Sequence, residues 1–207
     1  MKNIGARILF FIIGLVVLSF GVSMTIKADL GAGAWDALNV GLAEITGFTV
    51  GNWVIIIGLI LMIVNAIIVK TKPDYFALIT VLLIGFMIDF WLLIVMDGWN
   101  IDGLLVQILS LTIGILILGL GVSMYLQPQF PLNPVDGLMV SLQQRFHLST
   151  RVAKTLGEVL AFVLAFIVGG PIGIGTFIIL FGIGPSIQLF EPTAKKIATR
   201  LDHSFDT

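Results

Sequence analysis

The sequence predicts an all-α polytopic membrane protein: six transmembrane helices arranged as an inverted 3+3 repeat, with two re-entrant half-helices. Three observations predict it. The 207 residues are 58% hydrophobic and only 11% charged, with a mean hydropathy of +1.11. Six apolar runs are long enough to cross a bilayer. One stretch of the first half recurs in the second. A soluble surface needs about 25% charged residues, so the solvent for this chain is lipid. In lipid the backbone must satisfy its own hydrogen bonds, which leaves helices or closed barrels. Barrel strands alternate polar and apolar residues. Here Val54–Val69 and Leu104–Leu118 are apolar almost without interruption, so helices are predicted.

A bilayer core takes about 20 apolar residues per helix. The runs that qualify are 8–27, 51–69, 75–96, 104–126, 152–169 and 172–190. Lys2 and Arg7 ahead of the first run imitate a secretory leader. The apolar run is too long for one, and no small-residue cleavage site follows, so a retained helix is expected. Basic residues set orientation, because they accumulate on the cytoplasmic side. With a cytoplasmic N-terminus, Lys2, Arg7, Lys70, Lys72, Arg145, Arg151, Lys154, Lys195, Lys196 and Arg200 all lie inside, and Lys27 alone lies outside. Both termini are therefore expected in the cytoplasm, and the chain in a bacterial cytoplasmic membrane.

The repeat aligns residues 13–42 with 113–142 without a gap. Eleven of these thirty pairs are identical, including Gly-Val-Ser-Met at 21–24 and 121–124, followed by Asp36 and Asp136. Later parts match more loosely, as Thr80 does with Thr176. Each half holds three spans, so the second half enters from the opposite side. Residues 1–207 are read as one membrane domain: repeat 1–96, outer connector 97–103, repeat 104–190 and cytoplasmic tail 191–207. The tail's basic residues suit an anionic membrane surface.

Between the first two spans of each half lies an interrupted segment. Gly31 and Gly33 break the first; Pro128, Pro131 and Pro134 break the second. About twelve helical residues follow in each, spanning ~18 Å, or half a bilayer. These are the predicted re-entrant half-helices, with their positive N-termini meeting near the membrane centre. Asn133 is the expected N-cap, Pro134 the first helical residue and Asp136 the third. Gly33 and Asp36 hold the same places in the first half.

Asp36 and Asp136 are the leading ligand-binding candidates, with Trp35 and Asn133 beside them. The bland reading is that both aspartates merely satisfy the helix starts. Asp89 and Glu158, inside the third and fifth spans, are costly there and are the proton-coupling candidates. The alternative for each is a hydrogen-bonded structural role. Asn65, Ser23 and Ser123 are read as bonds between helices. Gly14, Gly21, Gly114, Gly119 and Gly121 are read as close packing between halves, with a homodimer face as the alternative. Trp53, Trp91, Trp99 and Tyr75 fall near span ends, where aromatic residues anchor helices. Gly169–Gly175 lacks the Lys of a phosphate loop and reads as a tight outer turn.

Composition also excludes. No Cys is present, so thiol chemistry and disulfides are out. His147 and His203 are far apart, and no metal site or cofactor is expected. A net charge of −1 gives no footing for nucleic acid. No nucleophile–base pair stands out, so an enzyme is not expected.

The stretch Gly21-Val-Ser-Met-Thr-Ile-Lys-Ala-Asp-Leu-Gly-Ala-Gly-Ala-Trp-Asp-Ala-Leu-Asn-Val-Gly-Leu resembles the signature of the YczE/YyaS/YitT-type bacterial membrane proteins. The resemblance runs through Gly175-Thr176 and Gly184-Pro185. Ala34 departs from it, since many relatives would carry Pro there. The resemblance implies a bacterial cytoplasmic-membrane protein and brings no catalytic residue with it. The functional expectation is a transporter or exporter of an unidentified small molecule, with proton coupling as its drive. A non-transporting scaffold and a passive channel are the alternatives.

Overall fold

The computed structural model describes residues 3–204, with side chains through 201; Lys2 and the His203 side chain lie outside the described residues. These residues form eight α-helices and no strand. In order they are α1 (Ile4–Lys27), α2 (Ala34–Thr46), α3 (Val50–Val69), α4 (Tyr75–Phe90), α5 (Leu104–Leu126), α6 (Pro134–Phe146), α7 (Thr150–Ile167) and α8 (Ile174–Ser204). A π-helical turn, Trp91–Val95, extends α4.

Five helices are long and apolar enough to cross a membrane: α1, α3, α4 with its π turn, α5 and α8. The expected fifth span forms as α7, 18 residues long. Arg151, Lys154 and Glu158 keep it from that class. Exposure supports lipid as the solvent. Large apolar residues face outward, among them Ile67 at 70%, Phe86 at 60% and Phe181 at 75%. Ser19, Ser23, Thr25 and Thr80 are buried instead. A water-soluble protein does not expose so much apolar surface.

The repeat sets the helix starts. Helices α1 and α5 begin one hundred residues apart, as do α2 and α6, and α3 and α7. Thr49 caps α3 by accepting from Asn52 N, and Ser149 caps α7 by accepting from Val152 N. The residues just beyond α1 and α5 repeat a left-handed turn, Asp29 at φ 53° and Gln129 at φ 55°.

The described chain divides into two compact units. The first runs to Gly33 and includes Phe90–Phe130 and everything from Gly173; the second comprises Ala34–Asp89 and Pro131–Ile172.

In the first unit α1 and α5 pack antiparallel. A Cβ on Gly14 would meet the Tyr125 backbone at 2.6 Å, and one on Gly114 would meet Thr25 at 2.9 Å. Gly21 abuts Leu118, and Gly121 abuts Leu18, even more closely. These contacts come in pairs related by the one-hundred-residue offset. They define a local two-fold axis across the helix pair. The glycines serve close packing, as small residues do in membranes. Ser23 and Ser123 do not bridge helices as expected. Their hydroxyls donate to Ser19 O and Leu120 O in their own helices. Arg7 donates twice to Pro128 O, at 3.1 and 2.7 Å, and stacks on Phe130. Helix α8 passes residue 190 without stopping, through Pro185 and Pro192. Ala194 and Ala198 pack against Phe10 there, so the start of the expected tail belongs to the fold.

In the second unit α2 packs on α3 and α7, and α6 packs on α3 and α7. Thr80 Oγ1 donates to Pro131 O at 3.1 Å, tying α4 to the strand of chain that leads into α6. Helix α7 buries Ala153, Gly157, Ala161 and Ala165, one small residue per turn, and turns Leu156, Leu160 and Val163 outward.

Candidate functional site

The second unit holds every candidate acid. Asp36 and Asp136 each lie in the first turn of their short helix. The start of α6 is built as read: Asn133 caps it by accepting from Val135 N at 3.3 Å, and Pro134 opens the helix. Both aspartates are half-buried. Glu158, half-buried on α7, acts electrostatically on Asp36 and interacts with Asp136. Lys154, one turn earlier on α7, opposes that negative field at Glu158. Three carboxyls from α2, α6 and α7 thus share one electrostatic neighbourhood. Among the described residues no group of three or more His, Cys, Asp or Glu is arranged to hold a metal ion.

Asp89 is placed elsewhere. Its carboxylate accepts from Thr49 Oγ1 at 2.6 Å and from Gly51 N at 2.7 Å. It therefore closes the start of α3 from the neighbouring helix α4, alongside the Thr49 cap. Trp35 is half-buried beside Asp36, and nothing in its surroundings singles out a stacking partner.

Two residues gain weight that the sequence did not give them. Asn39, one turn after Asp36 on α2, is 5% exposed, and its Oδ1 has no donor among the described residues. Asn65 Nδ2 donates to Pro134 O at 2.9 Å, the interhelical bond expected of it, but its Oδ1 is also buried without a donor. A buried acceptor left unpaired is costly. The sequence signal available was an Asn within each helix, which says nothing of which oxygen lacks a partner.

A cavity of about 290 Å³ opens beside Asn65, between α3, α6 and the α3–α4 loop. Pro134 and Gly137 from the start of α6 line it, as do Ser141 and Gln144 further along. The loop contributes Thr71, Lys72 and Asp74. The repeat-related pairing, α2 against α7, has no such space at its corresponding glycines. There a Cβ on Gly41 would meet Gly170 Cα and Val168 at 2.8 Å, and Gly170 lies directly against the Ala37 carbonyl. Gly41 corresponds to Ser141 and Ala37 to Gly137 by the one-hundred-residue offset. The cavity thus lies on the α3–α6 side, and the residues at Gly41 on the α2 side are closely packed.

Residues 5–192 match the pattern of a family of unknown function, DUF6198. The chain belongs to this family. Two Bacillus subtilis proteins are similar to it over nearly their whole length, which bears out the resemblance read from Gly21–Leu42. The "Uncharacterized protein YyaS" is 37% identical over 92% of this chain and 94% of its own. The "Uncharacterized membrane protein YczE" is 32% identical over 88% of this chain and 87% of its own. A Haemophilus influenzae protein is 30% identical over 91% of this chain. No solved structure matches the chain. The DUF6198 chain described here is thus a membrane protein with several apolar helices and bacterial relatives.

Proposed function

We propose that the chain is a membrane transporter of a small molecule, working by alternating access between its two repeats. The observation that carries this reading is the asymmetry of repeat-related faces: α2–α7 closed at Gly41 and Gly170, α3–α6 open around Asn65 and Ser141. A carrier built of repeats can interconvert two states by exchanging the conformations of its halves. On this reading the six-span arrangement counts α7 as a span, its charges lying near its cytoplasmic start. Helices α2 and α6 are the re-entrant pair, and the antiparallel, paired contacts of α1 and α5 support an inverted repeat. Both termini and the 70–74 loop then face the cytoplasm, and the open cavity is a cytoplasmic one.

The carboxyls supply the coupling. Asp36 and Asp136 sit where the short helices begin, and Glu158 on α7 shares their neighbourhood. A proton taken by one changes the field on the others. Asp89 is less suited, since both its oxygens hold the start of α3.

The test is flux. The purified chain is reconstituted in liposomes loaded with a mixture of small metabolites, with and without a pH gradient. Mass spectrometry follows which solutes move. A carrier accumulates at least one solute against its gradient, and Asp36→Asn with Asp136→Asn abolishes this while the protein still inserts. Equilibration that ignores the pH gradient makes it a channel. Movement of no solute leaves the scaffold reading.

A further inference from the structure

We propose that the groove between α5 and α8 binds one acidic phospholipid, with an acyl chain lying in the groove and the phosphate at Lys196 and Arg200. The site belongs to the first unit and is independent of the transport reading.

The groove encloses about 470 Å³ and follows α8 from Ile178 to Leu189, with Thr112 and Leu116 of α5 as its other wall. Ile115 and Ser186 form its buried floor. Gly182 makes it hollow: near the place of the missing Cβ stand only Ile115 methyl groups, at 3.4 and 3.6 Å. Ile178, Leu189 and Leu116 are exposed along the rims. The two hydroxyls are already used. Ser186 Oγ donates to Ile115 O at 3.1 Å, and Thr112 Oγ1 donates to Ile108 O at 2.8 Å. A polar solute therefore finds no partner in the groove. Hydrocarbon that fills such a hollow gains dispersion contacts with its walls.

Length decides between apolar occupants. Residues 178 to 189 rise ~17 Å along the helix, and one leaflet contributes about half of a ~30 Å hydrocarbon core. The groove is one leaflet deep. That fits an acyl chain lying along α8, whereas a second transmembrane helix would need a groove through the whole core.

Charge decides the headgroup. Ile178, Gly182, Pro185 and Leu189 recur at the three- and four-residue spacing of a single helix face. Two turns beyond Leu189 the same face carries Lys196, and one turn later Arg200. Helix α8 runs unbroken to Ser204. Its opposite side is docked, since Ala194 and Ala198 pack against Phe10, and Lys196 and Arg200 are both exposed. Helical side chains lean toward the N-terminus, so Lys196 leans back toward the mouth of the groove. Glu191 and Lys195 fall on other faces of the helix. Two cations with no acid on this face attract an anionic headgroup. A zwitterionic headgroup brings its own cation and gains less.

Native mass spectrometry of the full chain in detergent micelles tests the site, with dioleoyl phosphatidylglycerol or dioleoyl phosphatidylcholine added in equal amounts. One phosphatidylglycerol should stay bound per chain, about tenfold more readily than phosphatidylcholine. Lys196→Gln should lower its retention about fivefold. Lys195→Gln removes the same charge one residue away, on another face, and should leave retention unchanged. Gly182→Leu fills the groove and should lower retention of both lipids by about tenfold, through the lost burial of acyl methylenes. Lys196→Gln, at an exposed position, keeps the test decisive where Gly182→Leu does not fold. Equal retention of the two lipids overturns the site, as does an equal loss from Lys195→Gln. So does a folded Gly182→Leu chain that holds lipid as well as the parent. A lipid-free dimer broken by Gly182→Leu overturns it in favour of a second copy of the chain.

Discussion

Asp89 has a clear cost of removal. It accepts Thr49 Oγ1 and the Gly51 amide at once, so Asp89→Ala strips two partners from the start of α3. Hydrogen bonds to a charged group are worth about 1.5–3 kcal/mol each when buried; for a half-buried group the expected loss is about 2 kcal/mol in total. Unfolding in mixed micelles should report it, and Thr49→Ala should cost less, about 1 kcal/mol. Loss of transport by Asp89→Ala with unchanged stability would instead return Asp89 to the coupling machinery. The sequence made this acid conspicuous by its depth. Its partners lie thirty-eight and forty residues earlier, and no local pattern points to them. Asn133 and Pro134 were legible for the opposite reason: a cap and its helix are neighbours in the chain. The orphan oxygens of Asn39 and Asn65 were not legible, because lacking a donor is a property of the packed interior.

At the scale of helices, the repeat was readable over thirty positions, and the helix starts obey it further than identity does. Thr49 and Ser149 keep the same capping chemistry although α3 and α7 have diverged into an apolar helix and a charged, small-residue one. Capping constrains one hydroxyl, whereas lipid-facing positions tolerate any large apolar residue, so the register outlived the similarity. Helix α8 runs to Ser204, beyond residue 190, where the sequence places the end of the last span. Packing of Ala194 and Ala198 on Phe10 carries the helix past it. The glycines divide cleanly by environment. Gly21→Val places a side chain against the Leu118 backbone, and Gly121→Val does so at Leu18. Each should cost about 1–3 kcal/mol as overpacking, and the pair more, because both wedge the same interface. Gly184 has open space around it, so Gly184→Val should leave the unfolding midpoint close to that of the parent. Equal losses at Gly21 and Gly184 would mean that helix propensity, not close approach, sets the penalty.

For the molecule as a whole, the decisive property is whether the shut face and the open face are two ends of one equilibrium. Composition made the membrane class legible, and the one-hundred-residue offset made the paired helix starts legible. Neither told which face is open, since the offset relates the two faces as equals. Gly41 gives the means to test it. It lies where α2 meets Gly170 and Val168 with no room for a Cβ, so Gly41→Leu penalises the closed state of that face. A two-state carrier answers by shifting toward the state in which α2 and α7 separate, because a perturbation redistributes populations by its differential effect on the two states. In such a carrier that opening is coupled to closure of the α3–α6 face. Combined with Ser141→Cys, Gly41→Leu should therefore slow maleimide labelling of the cavity thiol. A wedge worth about 2 kcal/mol, typical of overpacking, shifts the ratio of states by about thirtyfold, at 1.4 kcal/mol per factor of ten. A static scaffold has no second state to escape to. In it the same wedge loosens the unit, and the Ser141→Cys thiol reacts as fast as before or faster. The sign of that single change in rate separates a moving carrier from a fixed bundle without the substrate being known.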